Sequence, residues 1–172
     1  LVAMKKAFGV EDDITAVANL LGSDSGYMSG EGPAIISGRG DNITNILPIP
    51  TLFLLLITEK EKCFSGEVYK KFDIEGNSFP PCTKVALEFL EKGDLTSFVK
   101  TIKNDLTESA CSFVPEIREN INALLNAGAD AALMTGSGSC SYGIFFTAAA
   151  RNKAYKNLFP IYKERLIKTK TI

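Results

Sequence analysis

The sequence predicts an α+β chain in which helices and antiparallel strands are mixed. Three observations support this class. Apolar residues recur at helical spacing in several segments, most clearly Ile117, Ile121, Leu124 and Leu125. Short apolar runs lie close enough in sequence to pair as hairpins: residues 131–134 with 142–146, and 33–37 with 43–46. The links between those runs are rich in Gly, Ser and Asn, the residues of tight turns.

The elements follow in order. Residues 10–21 put Val10, Ile14, Val17 and Leu21 on one helical face. Glu11, Asp12 and Asp13 fall in the first turn, where the helix dipole favours negative charge, and Gly22 stops the helix. Residues 22–32 read as a glycine-rich loop. Residues 33–37 form a strand, 38–42 a turn and 43–46 the partner strand. Pro48 and Pro50 mark a break, so two parts are expected, residues 1–49 and 50–172.

In the second part, residues 51–58 read as a buried strand, since the apolar run 52–57 is far too short to span a bilayer. Ser65 is placed to cap a short helix over residues 67–72, and 79–82 form a loop. Residues 83–91 and 95–102 are amphipathic, the latter through Leu95, Phe98, Val99 and Ile102. Pro115 suits the first position of a helix and Gly128 the residue just past its end. Two strands, 131–134 and 142–146, are joined by small residues, and Thr147 caps a last helix to about Phe159. The basic run 163–170 reads as a solvated tail.

Composition narrows the chemistry. The chain has 172 residues, 45% hydrophobic and 23% charged, enough to bury a core. With 19 basic and 20 acidic residues the net charge is −1, which offers no nucleic-acid footprint. There is no histidine, which removes the commonest general base and metal ligand. Cys63, Cys82, Cys111 and Cys140 lie far apart without a Cys-x-x-Cys pair, so no zinc site is expected. Reduced thiols in a cytoplasmic protein, with no membrane partner, are the expected state. The tripeptide Arg39-Gly40-Asp41 and the acceptor pattern Asn42-Ile43-Thr44 occur often by chance and are read as decoys.

Two segments can carry chemistry. The first is Thr135-Gly136-Ser137-Gly138-Ser139-Cys140-Ser141, clamped between apolar runs. Successive N–H groups of such a turn can form an anion-binding nest. Alternatively, the missing side chains make room for another loop of the same chain, or the turn is a tight hairpin with no ligand. The second is Asp24, between small residues just past a helix. Its carboxylate can accept a proton from an attacking hydroxyl, or it can simply close an Asx-turn.

Three blocks of residues resemble the GHMP kinase superfamily, whose members transfer phosphate from ATP to small alcohols. Gly22-Ser23-Asp24, followed by Gly38-Arg39-Gly40-Asp41, is similar to the family's catalytic-aspartate block. Asn104-Asp105-Leu106 with Pro115-Glu116-Ile117 is similar to its paired helices. Gly128-Ala129, then 134–140, is similar to its third motif. Order and spacing agree over nearly the whole chain, and best with the branch that phosphorylates the 2-hydroxyl of a diphosphocytidyl alcohol in non-mevalonate isoprenoid synthesis. Homoserine-type and mevalonate-type kinases, or a non-catalytic binding domain of the same descent, are the alternatives.

The resemblance implies a GHMP kinase fold: a partial N-terminal domain of ribosomal S5 domain 2-like type in residues 1–49, then a ferredoxin-like C-terminal domain in 50–172. It implies that Asp24 is catalytic and meets the substrate, that Gly136, Ser137, Gly138 and Ser139 support the phosphate loop, and that Ser65 lines the substrate pocket. ATP and Mg²⁺ are the implied cofactors. The family's early lysine and its P-x-x-x-G-L-G-S-S loop do not occur in the sequence, and Ser25-Gly26-Tyr27 replaces the usual Val-Pro-Phe. The chain is therefore expected to correspond to about the C-terminal two-thirds of such a kinase. It is expected to be inactive alone, with cofactors held mainly by the N-terminal segment as its partner. Homo-oligomerisation is left open.

Overall fold

The structure, a computed structural model, describes residues 2–9, 14–22, 24–30, 32–46, 49–76 and 82–171. The chain divides into two compact units, Leu1–Ile49 and Pro50–Ile172.

In the first unit, helices α1 (Val2–Phe8), α2 (Thr15–Leu21) and α3 (Ser25–Met28) precede strands β1 (Ala34–Ser37) and β2 (Asn42–Asn45). The expected helix over residues 10–21 is seen as α2, while Val10 and the acidic residues 11–13 lie outside the described residues. α1 carries no signal that the sequence reading used. The expected glycine loop contains α3, closed by the Ser29 hydroxyl, which donates to Gly26 O at 2.7 Å. β1 and β2 pair antiparallel from Ala34↔Asn45 to Ser37↔Asn42. Their turn needs positive φ at Gly38 (67°) and Gly40 (100°), a conformation glycine reaches without a Cβ clash. The decoy tripeptide sits at this tip, with Arg39 N–H donating to Asp41 Oδ1 at 2.9 Å. The apolar face of α2 is not buried: Val17 and Leu21 are exposed, and Ala18 is the residue packed inside.

The second unit holds a four-stranded antiparallel sheet built from β3 (Phe53–Ile57), β4 (Ala131–Met134), β5 (Ser141–Phe145) and β6 (Leu166–Lys170), in the order β4-β5-β3-β6. Between β3 and β4 run α4 (Ser65–Glu75), α5 (Thr83–Glu91), α6 (Leu95–Phe98), α7 (Thr107–Cys111) and α8 (Glu116–Asn126). α9 (Ala148–Tyr162) links β5 to β6. Strand, helices, hairpin, helix, strand is the split βαβ pattern of a ferredoxin-like domain. The N-cap expected at Thr147 is formed, its side chain accepting from Ala150 N–H at 3.1 Å, and α9 runs three residues past Phe159. Gly128 follows α8 with φ 94°, the left-handed position expected of it.

Four expectations are corrected. Ser65 is the first residue of α4, not its cap; Phe64 holds the cap position without a side-chain hydrogen bond. The helix expected over 95–102 ends at Phe98, where Val99 closes it. In α8 Leu125 faces out, and Asn120 takes the buried place. The segment 163–170 is no tail: a 3-10 turn, Lys163–Arg165, leads into β6, whose Leu166 is buried opposite Ile57. Lysines mask the apolar face of this edge strand: Lys168 and Lys170 share the face of Leu166, and Lys168 Nζ lies over the Tyr155 ring of α9, 4.4 Å from its centroid.

Two apolar clusters hold the unit. Leu55, Ile57, Leu124, Phe145, Ala154, Leu158 and Leu166 pack between the sheet and α8–α9. Val68, Ala110, Val114, Ile117, Ile121 and Met134 pack among α4, α7, α8 and β4. A polar tie links the end of β3 to α8 and the 3-10 turn: Glu59 accepts from Asn120 Nδ2 at 2.8 Å and from Arg165 Nη1 at 2.6 Å. The Arg165 guanidinium also lies over the Tyr162 ring, 5.2 Å from its centroid.

Candidate active site

Asp24 belongs to the first unit. It precedes α3 with φ −91° and ψ −7°, exposed, and its side chain makes no capping hydrogen bond. Its own carbonyl accepts from Met28 N–H at 3.0 Å, so the backbone around it is fixed while the carboxylate is not spent on the helix. Two residues on, Gly26 is buried, and a Cβ there would lie 1.9 Å from Asn19 Oδ1 of α2. Close packing of α3 on α2 thus gives a physical reason for glycine in the changed Ser25-Gly26-Tyr27 stretch.

The small-residue turn belongs to the second unit. It joins β4 to β5, closed by Thr135 N–H to Cys140 O and Gly138 N–H to Thr135 O, both 2.9 Å. Gly136 (φ 51°) and Gly138 (φ 99°) both take left-handed backbone. The two halves of the turn differ in surroundings. At Gly138 a Cβ would stand 2.9 Å from Cys63 Sγ and 3.1 Å from Met134 Sδ, and Ser139 Oγ donates to Glu61 O at 2.5 Å. The loop before α4 therefore rests on this half, as one of the sequence readings allowed. At Gly136 a Cβ would meet nothing within 4 Å. Among the described residues, the N–H groups of Gly136, Ser137 and Ser139 find no acceptor.

Ser65 stands exposed at the start of α4, directly after the loop that seats on the turn. One helical turn later Tyr69 lines a cavity of about 780 Å³, with Thr83, Thr101, Asn104, Gly136 and Tyr142. Burial pushes the Tyr142 phenol up, so it stays neutral near pH 7. Burial likewise raises the Cys140, Cys111 and Cys63 thiols, the last also through Cys111 beside it. As protonated thiols these are poor nucleophiles. The described residues hold no group of three or more His, Cys, Asp or Glu able to bind a metal. Sequence reasoning gave no role to Cys63, Glu61 or Asn104, all of which touch the turn. Only Asn104 carried a signal, as the first residue of a quoted motif.

Residues 86–162 match the family model of the C-terminal domain of GHMP kinases. The chain is 32% identical over 165 residues to a 4-diphosphocytidyl-2-C-methyl-D-erythritol kinase of Caldanaerobacter subterraneus subsp. tengcongensis, covering 94% of this chain and 57% of the relative. It is 29% identical over 155 residues to the kinase of the same name from Moorella thermoacetica, covering 88% and 54%. The chain thus spans little more than half the length of these relatives. Among solved structures, a 4-(cytidine 5'-diphospho)-2C-methyl-D-erythritol kinase aligns with TM-score 0.78 at 23% identity, over 99% of this chain and 61% of that one. A homoserine kinase from Cytophaga hutchinsonii aligns with TM-score 0.69 at 14% identity, over 98% and 61%; both likenesses speak for the fold. Ferredoxin-like topology and the solved structures agree on the fold, and the family-model match identifies residues 86–162, within the second unit, as a C-terminal domain of the GHMP kinase family.

Proposed function

We propose that this chain is the C-terminal part of an ATP-dependent kinase that phosphorylates the 2-hydroxyl of 4-diphosphocytidyl-2-C-methyl-D-erythritol. The observation that carries the reading is the open half of the glycine turn, where Gly136 and Ser137 keep N–H groups without acceptors among the described residues. Such groups suit phosphate oxygens, and phosphoryl transfer is mostly positioning and charge stabilisation. In this reading Gly136, Ser137, Gly138 and Ser139 support the phosphate end of ATP. Asp24 orients the acceptor hydroxyl and takes its proton as the bond to phosphorus forms. Ser65 and the cavity beyond it receive the acceptor. Residues 1–49 are the remainder of the N-terminal domain, and 50–172 the C-terminal domain. The Mg²⁺ that such a reaction uses would neutralise phosphate charge; in this reading it is held by the phosphates and mainly by the N-terminal segment.

The test is a phosphorylation assay on the full-length protein with a panel of alcohols, beside calorimetry of the present chain alone. The diphosphocytidyl alcohol should be the preferred acceptor. The isolated chain should show no kinase activity and should bind Mg·ATP more weakly than about 1 mM, or about −4 kcal/mol. Preference for homoserine or mevalonate would move the protein to another branch. No activity on any alcohol by the full-length protein would favour a non-catalytic descendant.

A further inference from the structure

The motif Asn104-Asp105-Leu106 enters the function proposed above only as part of the cavity lining, yet its first residue also reaches the glycine turn. Asn104 Nδ2 donates to the carbonyl oxygens of Met134, at 2.9 Å, and Gly136, at 2.8 Å. Its Oδ1 accepts from Leu106 N–H at 3.0 Å, and its own carbonyl accepts from the Thr107 hydroxyl at 2.8 Å. Both amide protons are therefore used on turn carbonyls, and the side-chain oxygen fixes which way the amide faces.

A trans peptide holds its C=O and N–H in opposite directions. With the Met134 carbonyl turned to Asn104, the next N–H, of Thr135, points away, and it lands on Cys140 O at 2.9 Å. The same constraint at Gly136 turns the Ser137 N–H away from Asn104, where it meets no acceptor among the described residues. Without that anchor the peptide after Gly136 would rotate at little cost, because glycine is permissive on both sides of φ = 0. We propose that Asn104 is a positioning residue: by holding the Met134 and Gly136 carbonyls it aims the Ser137 N–H outward, to donate to a phosphate oxygen. This rests on reading the turn as a phosphate site.

The experiment is amide NMR of the chain and of Asn104→Asp and Asn104→Ser, each without and with a large excess of Mg·ATP. Asp keeps the shape and loses both donors; Ser keeps one. Without nucleotide, the Ser137 resonance should be displaced in Asn104→Asp and less so in Asn104→Ser, while those of α9 stay in place. Should Asn104→Asp fail to fold, Asn104→Ser carries the same reading. With Mg·ATP, the wild-type Ser137 resonance should move with concentration, and the movement should vanish in Asn104→Asp. In the full-length kinase Asn104→Ser should raise the KM for ATP by about fivefold, the share of one net hydrogen bond. An unmoved Ser137 resonance in both variants without nucleotide overturns the positioning role alone. A wild-type Ser137 resonance indifferent to Mg·ATP overturns the phosphate-site reading and the proposal with it.

Discussion

The two units of this chain use similar residues to different effect. In the second, Phe145, Leu55, Ile57 and Leu124 are wholly buried between a four-stranded sheet and its helices. In the first, Phe8, Leu20, Leu21 and Met28 are 77%, 88%, 70% and 74% exposed, and the described strands form a single hairpin. Apolar side chains stabilise only where a second layer covers them, and a lone two-stranded hairpin is marginal in water. The difference shows where stability is made and leaves the first unit to be judged by its chemistry, above all by Asp24.

The largest expected effect tests that division directly. In the full-length protein, Asp24→Asn keeps the shape but removes the charge and the proton acceptor, so kcat should fall by about 10²–10⁴. ATP affinity and melting temperature should change little, because the carboxylate makes no capping hydrogen bond. A near-normal kcat with a lowered melting temperature would break the comparison, making the first unit's aspartate a structural residue.

Stability comes next. Phe145→Ala opens a cavity in the main cluster and should cost about 3–5 kcal/mol in denaturant unfolding. Leu20→Ala, in the exposed face of α2, should stay within about 0.5 kcal/mol. Hydrogen exchange should sharpen the same contrast, with weak protection over residues 33–46 and the strongest in β3 and β5. Uniform strong protection across both units would show that they unfold as one body.

The smallest effects separate a cap from a contact. Thr147→Ala removes the N-cap of α9 and should cost about 1 kcal/mol. Ser65→Ala removes no cap, so its thermal stability should match wild type within about 0.5 kcal/mol. Under the proposed function, in the full-length protein it should raise the KM for the diphosphocytidyl acceptor and not that for ATP. Equal rises in both, with lost stability, would return Ser65 to a purely structural place.

The fold of the second unit was largely legible because its signals are local. Helical spacing marks Ile117, Ile121 and Leu124, Thr147 stands where a cap is needed, and Gly128 stands where the backbone turns left-handed. The turn 135–141 announces itself because apolar runs bracket residues without bulk. Less local features were hidden. β6 carries its lysines on the same face as its buried Leu166, so no apolar alternation marks the strand. The role of Ser65 turned on whether the helix begins at it or at residue 67, a difference of two residues that sequence does not resolve.

By itself, then, the sequence determined the α+β class, the hairpins and most helices of the second unit, and the small-residue turn at which chemistry is proposed. Each of these depends on residues within one or two turns of chain. Only the tertiary structure decided which half of that turn is open. Cys63 and Glu61 cover Gly138 and Ser139, Asn104 pins the carbonyls of Met134 and Gly136, and all three come from far along the chain. A backbone N–H and C=O are the same in every residue but proline, so their direction is set by the partners that folding brings to them, and no side-chain pattern records it.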